Sequence, residues 1–355
     1  MFGSRRAAPH RRLILHIGMH KTGSTALQVA YSRAAPKGLQ FIELHKRTPG
    51  PPLAVLYDPE AESNPVFTRR GLSPRAALRY RRKMRRRLNR MLRNRSASVS
   101  LLSAEYLSNA PPEMLEGLYA DLAPHFDEVQ VYGYLRAPQK FASSMFQQRL
   151  KMSTQPFGPV WPQYQQRFEA FDRIFGRRNT QLKWYQRHRL VEADICQDFA
   201  HWTGIAAAGQ RPATVNSSLS LPAVALLYLY RRNAQYPAGS NFNKIERPLL
   251  RALRQIDGPT FAFAPELIET QLHAEGADLA WAEARLGSAC PETPVPQTTD
   301  PIASSADLLR AAARFVPRLT GGAEQASPQD ANDAEAQAWG QMAPWLRRNL
   351  RGVMV

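Results

Sequence analysis

The chain has 355 residues, 44% hydrophobic and 21% charged, enough for one large or two modest globular domains with a full core. Two cysteines, Cys196 and Cys290, exclude a disulfide framework and point to a reducing compartment. No apolar run approaches the roughly 18 residues of a membrane span, and the net charge of +18 is mostly local, with thirteen Arg and Lys and no Asp or Glu between Arg69 and Arg95.

After a basic N-terminus, LILHI at 13–17 reads as a short buried strand. It is too short for a signal-peptide core and no small-residue cleavage site follows, so a cytoplasmic location is expected. A helix is predicted over 23–34, and 37–72 is broken by Pro and Gly into what reads as a substrate-side loop. Residues 74–95 read as a helix, with Ser73 as N-cap and Pro74 as first helical residue. Its apolar stripe is Tyr80, Met84, Leu88 and Met91, and the rest is mostly arginine.

Strands are predicted at 98–102, 129–135 and 181–185, with helices at about 138–151 and 161–175. DICQDFAHWTGI reads as a helix ending at Gly204, 206–213 as a linker of small residues, and Ser220 as the start of a helix reaching Asn233. From Pro291 to Ala334 the Pro, Ala, Ser, Thr and Gln content reads as a low-complexity linker with a helical interlude near 305–315, before a short last helix at 335–350. Strands alternating with helices predict an α/β fold, a parallel sheet covered by helices on both faces.

The strongest local signal is HIGMHKTGSTALQ at 16–28, a strand, a Gly-containing loop and a helix start. Backbone N–H groups and the positive helix terminus of such a turn grip phosphate. Gly18 and Gly23 have the G-x-x-x-x-G spacing of a nucleotide-binding P-loop, but Ser24 and Thr25 follow Gly23 and the lysine sits earlier, at Lys21. A metal-dependent kinase needs its lysine directly after the second glycine, so that reading is disfavoured. A second motif, YLRAPQKFASSMFQQ, again runs from strand to helix and carries Arg136 and, eight residues on, Ser144. Arginine offers a planar fork to phosphate and serine a hydrogen bond.

Together these motifs resemble the 5′-phosphosulfate loop and the 3′-phosphate site of the sulfotransferases that use 3′-phosphoadenosine 5′-phosphosulfate (PAPS), in the bacterial variant of that family. LLSAEYLS at 101–108, LKWYQRHRLVEADICQDFAHWTGI and VNSSLS extend the likeness over about 12–235. The resemblance implies a P-loop-NTPase-like sulfotransferase fold, PAPS as donor with adenosine 3′,5′-bisphosphate as product, and no metal. It implies that Thr22, Gly23, Ser24 and Thr25 hold the 5′-phosphate, that Lys21 also neutralises the leaving oxygen, and that Arg136 and Ser144 hold the 3′-phosphate. The acceptor hydroxyl needs a general base. Glu105, just after a strand, is the candidate, with His20 beside Lys21 as the alternative, while His16 reads as packed in its strand. Gln147 and Gln148 face either the acceptor or solvent.

The expected organisation is a PAPS-binding core over 1–235 with a basic helical insertion at 69–95, a helical continuation over 236–290, the linker over 291–334 and a short helix within 335–355. The acceptor expected from the resemblance is a hydroxyl on a glycan or lipid-linked sugar. The arginine segment stays open between a solvated helix, an anionic-acceptor site and an anionic membrane surface, the last making the protein peripheral at the inner face. Without aromatic interleaving, no specific nucleic acid is expected. The rival of a different class is a noncatalytic nucleotide- or polyanion-binding protein on the same fold.

Overall fold

The computed structural model describes residues 10–44, 50–57, 73–208, 218–235, 245–291 and 301–350. They form two compact units interleaved in sequence. The first holds Met1–Arg136, Gln163–Val215 and Asp278–Pro291; the second holds Ala137–Pro162, Asn216–Ala277 and Glu292–Val355. The core expected as one span over 1–235 is therefore divided between them.

The first unit is built on five strands: β1 (Arg12–Gly18), β2 (Leu39–Phe41), β3 (Val99–Ser103), β4 (Glu128–Leu135) and β5 (Thr180–Trp184). Their order is β2-β3-β1-β4-β5 and every neighbouring pair is parallel, in a sheet flanked by helices. Leu13, Ile14, Leu15 and Ile17 of β1 are all buried, the near-continuous apolar run of a parallel strand covered on each side. β1 lies at the centre, and successive strands are laid to its two sides, the arrangement in which α/β sheets bind ligands beyond the strands' carboxyl ends.

Helices α1 (Ser24–Arg33), α2 (Gly50–Tyr57), α3 (Pro74–Arg93), α4 (Pro112–Leu122), α6 (Tyr164–Phe171) and α7 (Ile195–Thr203) belong to this unit, with most of α11 (Gly276–Leu286). Leu27 and Tyr31 of α1 and Phe199 of α7 pack with Ile14, Leu101 and Tyr134 of the sheet. α7 has the caps that its sequence announces: Asp194 accepts from the Cys196 and Gln197 N–H groups, and Gly204 closes the helix at φ 66°. α3 starts at Ser73, whose side chain accepts from the Ala76 N–H. Its buried face is Ala77, Met84, Leu88 and Leu92, rather than the stripe drawn through Tyr80 and Met91, which are half-buried. β2 and α2 lie in the stretch expected to be a loop; 58–72 is outside the described residues, as is most of the 206–213 linker.

The second unit is helical: α5 (Pro138–Met152), α8 (Leu221–Asn233), α9 (Arg247–Leu253), α10 (Pro265–Ala274), α12 (Ser305–Thr320) and α13 (Ala331–Asn349). α8 is apolar nearly all round, so it is buried all round. It packs against α5, α9, α12 and α13. The linker expected over 291–334 is corrected here, while the helical interlude expected near 305–315 is present and longer. From Ser305 to Thr320 the chain is a helix, opened by a capping box between Ser304 and Asp307 and burying Leu308, Leu309, Ala312, Ala313, Phe315 and Val316. Its alanines make close helix contacts rather than a flexible tether, and only 292–300 of that stretch lies outside the described residues. No helix among the described residues is long and apolar enough to cross a membrane.

Candidate functional site

Three chain segments leave the carboxyl ends of adjacent strands at one place. The Met19 N–H donates to the Tyr134 carbonyl at 3.1 Å, and the Ala104 N–H donates to the His16 carbonyl at 2.8 Å. The loop after β1, the turn after β3 and the residue after β4 are thereby drawn together, all within the first unit.

The β1 loop is tightly folded. A Cβ on Gly18 would stand 2.7 Å from Thr22 Oγ1, 3.2 Å from Ser24 Oγ and 3.4 Å from His16 Nε2, so no side chain fits there. Lys21 adopts φ 67°, a left-handed backbone uncommon for a residue with a side chain. Gly23 adopts φ 87° and sits against Ile195. The Thr22 hydroxyl donates to the Met19 carbonyl at 2.7 Å and is fully buried. Thr22 can thus offer a ligand only its N–H, and the free loop hydroxyls are those of Ser24 and the half-buried Thr25.

α1 begins without a side-chain cap and without an acidic residue in its first turn. Its first N–H groups and the positive end of its dipole are left for an anion. Ser24 Oγ is buried there and makes no well-formed hydrogen bond among the described residues. Arg136 supplies the second requirement. Its N–H approaches Met19 Sδ at 3.3 Å, its carbonyl accepts from Tyr164 Oη at 2.6 Å, and its Nη1 lies 3.5 Å from the His20 carbonyl. Its Nε is buried with no hydrogen-bond partner, and among the described residues no carboxylate pairs with it. Burial lowers its pKa to about 10, against a small opposing effect of Tyr185, so it is still a cation at neutral pH. A buried guanidinium without a counter-charge is costly and is repaired by a bound anion.

Glu105 opens a short 3-10 turn after β3 and comes within 3.4 Å of His20 Nδ1. The two base candidates are therefore side by side, with 34% of the Glu105 side chain and 27% of that of His20 exposed. Partial burial pushes the Glu105 carboxyl up, but the hydrogen bond and charge of His20, then His16, outweigh it and hold it below its ordinary value. Ser24 adds to this by proximity, without good hydrogen-bond geometry. Ser108 ties the turn to β1, its hydroxyl reaching the Glu105 carbonyl at 2.9 Å and the Gly18 carbonyl at 3.3 Å.

His16 lies beneath the loop, wholly buried as the strand pattern implies. Its Nδ1 is 2.8 Å from Ser103 Oγ, and its ring packs edge-on against Phe199. Burial drives its pKa down to about 4, against the pull of Glu105, so it is neutral at pH 7.

Ser144 lies in the second unit, on α5, with its Oγ buried and unpartnered among the described residues. Gln147 on the same helix is buried, its Oε1 accepting from the Leu219 N–H at 3.0 Å; Gln148 is half-buried. Ser103, Ser108 and Tyr185 are site neighbours that the motifs did not single out. The sheet register pairs His16 with Ser103, the Ser108 hydroxyl reaches the Gly18 carbonyl, and the Tyr185 N–H donates to the Leu135 carbonyl at 2.6 Å at the end of β4. No protein-family model matches the chain, and no curated protein matches it at a significant level.

Proposed function

We propose that this chain is a PAPS-dependent sulfotransferase with a P-loop-like sulfotransferase fold. The observation that carries the reading is the half-buried, unneutralised Arg136 guanidinium, its Nε buried and unpartnered among the described residues, beside a phosphate-type loop at the carboxyl end of the central strand. A site so built calls for an anionic ligand, and the motif likeness names which one.

The loop N–H groups from Thr22 to Thr25, with the Ser24 and Thr25 hydroxyls, hold the 5′-phosphate. Arg136 takes the 3′-phosphate, a role that the sequence likeness also gives to Ser144. PAPS, when bound, supplies a sulfuryl group on a phosphate leaving group. Glu105 accepts the proton of the acceptor hydroxyl as its oxygen bonds to sulfur, and the lowered carboxyl pKa keeps it in the ionised form that this requires. His20 orients that carboxylate from 3.4 Å. Lys21 stabilises the charge that collects on the departing phosphate oxygen as the sulfur–oxygen bond breaks. The acceptor class that fits the likeness is a glycan or lipid-linked sugar.

The test is transfer of labelled sulfate from PAPS to a panel of such acceptors by the full chain. Transfer is expected with the native sequence, absent in Lys21→Ala, and reduced about 10²- to 10⁴-fold in Glu105→Gln, with adenosine 3′,5′-bisphosphate still bound by the latter. The acid limb of the native chain's pH–rate profile should lie below the ordinary carboxylate range, whereas an imidazole base gives a limb near pH 6.5. Turnover unchanged in both variants contradicts the mechanism, and bisphosphate binding with no turnover favours the noncatalytic nucleotide-binding reading.

A further inference from the structure

α3 carries a feature that the donor site does not use. Arg75, Arg79, Arg82, Arg86, Arg90 and Arg93 are all exposed. Their spacings of three and four residues place them within an arc of about 80° on the helix, along about 27 Å of its length. Among the described residues none of the six forms an ion pair. The cations on the flanks behave otherwise: Arg85 pairs with Asp121, Arg87 with Glu43 at 3.6 Å, and Arg81 donates to the Leu56 carbonyl at 3.3 Å. The flanking arginines dock the helix, and the outer six are left as a straight cationic ridge with Lys83 beside it.

We propose that this ridge is a docking surface for an anionic lipid bilayer. Three observations select a bilayer over other polyanions. The ridge is the convex side of a helix, so its guanidinium groups reach one plane together. The apolar stripe of Ala77, Met84, Leu88 and Leu92 is already buried, so contact is electrostatic adsorption without insertion of the helix. The large hydrophobic side chains exposed among the described residues are Leu78, Met152 and Val191, none of them an aromatic on which a sugar or base would stack. Leu78 stands at the edge of the ridge, where it meets the headgroup region. The proposal is independent of the donor-site reading.

The experiment is sedimentation of the full chain with vesicles of phosphatidylcholine alone or with phosphatidylglycerol added. Binding is expected only to the anionic vesicles, and it should weaken steeply with salt. Two variants remove three exposed arginines each: Arg79, Arg82 and Arg86→Gln on the ridge, and Arg247, Arg251 and Arg254→Gln on α9 and the residue just after it, all three also exposed. They have equal net charge. The ridge variant should lose about 100-fold in partition coefficient with its thermal unfolding unchanged, and the α9 variant should bind as the native chain does. Equal losses in both variants, no preference for anionic vesicles, or tighter binding to a sulfated polysaccharide or duplex RNA at the same salt each overturn the proposal.

Discussion

Acidification should weaken the fold through one side chain. His16 is wholly buried with a folded pKa of about 4, against an ordinary histidine value of 6.5. The unfolded chain therefore binds one more proton at this residue between those two values, so stability falls as pH drops through that window and is fully present above it. The difference is worth about 2 kcal/mol at pH 5 and about 3 kcal/mol at pH 4. Glu105 adds little between pH 7 and pH 5, because its depressed carboxyl contributes stability that is lost only as pH falls from its ordinary value of 4.5 through its lower folded one. His125 is also lowered, mainly by burial, and is present in both proteins to be compared. His16→Asn keeps a polar atom near the Ser103 hydroxyl but cannot titrate. Denaturant unfolding at about pH 7 and pH 5 should show the native chain losing about 2 kcal/mol more than the variant, whatever the variant's absolute stability. Equal losses would refute the placement of a neutral His16 under the loop.

The Gly18 cradle makes a second prediction. In Gly18→Ala the new methyl meets Thr22 Oγ1 at 2.7 Å, and Thr22 cannot yield without breaking its bond to the Met19 carbonyl. A loss of about 1–3 kcal/mol in unfolding free energy is expected, together with loss of any thermal response to adenosine 3′,5′-bisphosphate. An unperturbed ligand response would mean that the loop does not hold the phosphate.

Much of the first unit was legible because its signals are local. Ser73 and Pro74 announce the start of α3, and Asp194 and Gly204 bracket α7; in the second unit Ser220 likewise caps α8. β1 reads as a buried parallel strand because both of its faces are apolar. What escaped was set by contacts distant in sequence. β2 has only three residues, and its pairing with β3 rather than its composition makes it a strand. α12 reads only as a helical interlude within a linker, whereas burial of Leu308, Leu309, Phe315 and Val316 makes it a longer core helix. At the candidate site, the motifs single out Lys21, Ser24, Arg136 and Glu105 one by one. That Glu105 and His20 form a pair, and that Thr22 turns inward, depend on the register of β1 with β3 and on the fold of the loop round Gly18.

The central claim is that Arg136, without a counter-charge among the described residues, and the β1 loop bind a nucleotide carrying a 3′-phosphate. Thermal unfolding with and without adenosine 3′,5′-bisphosphate, with AMP and ATP–magnesium as controls, tests it most directly. At ~100 times its dissociation constant the bisphosphate should add about 2.7 kcal/mol, a shift that the controls do not give and that Arg136→Ala abolishes. No shift at saturating bisphosphate, or an equal one in Arg136→Ala, contradicts the account.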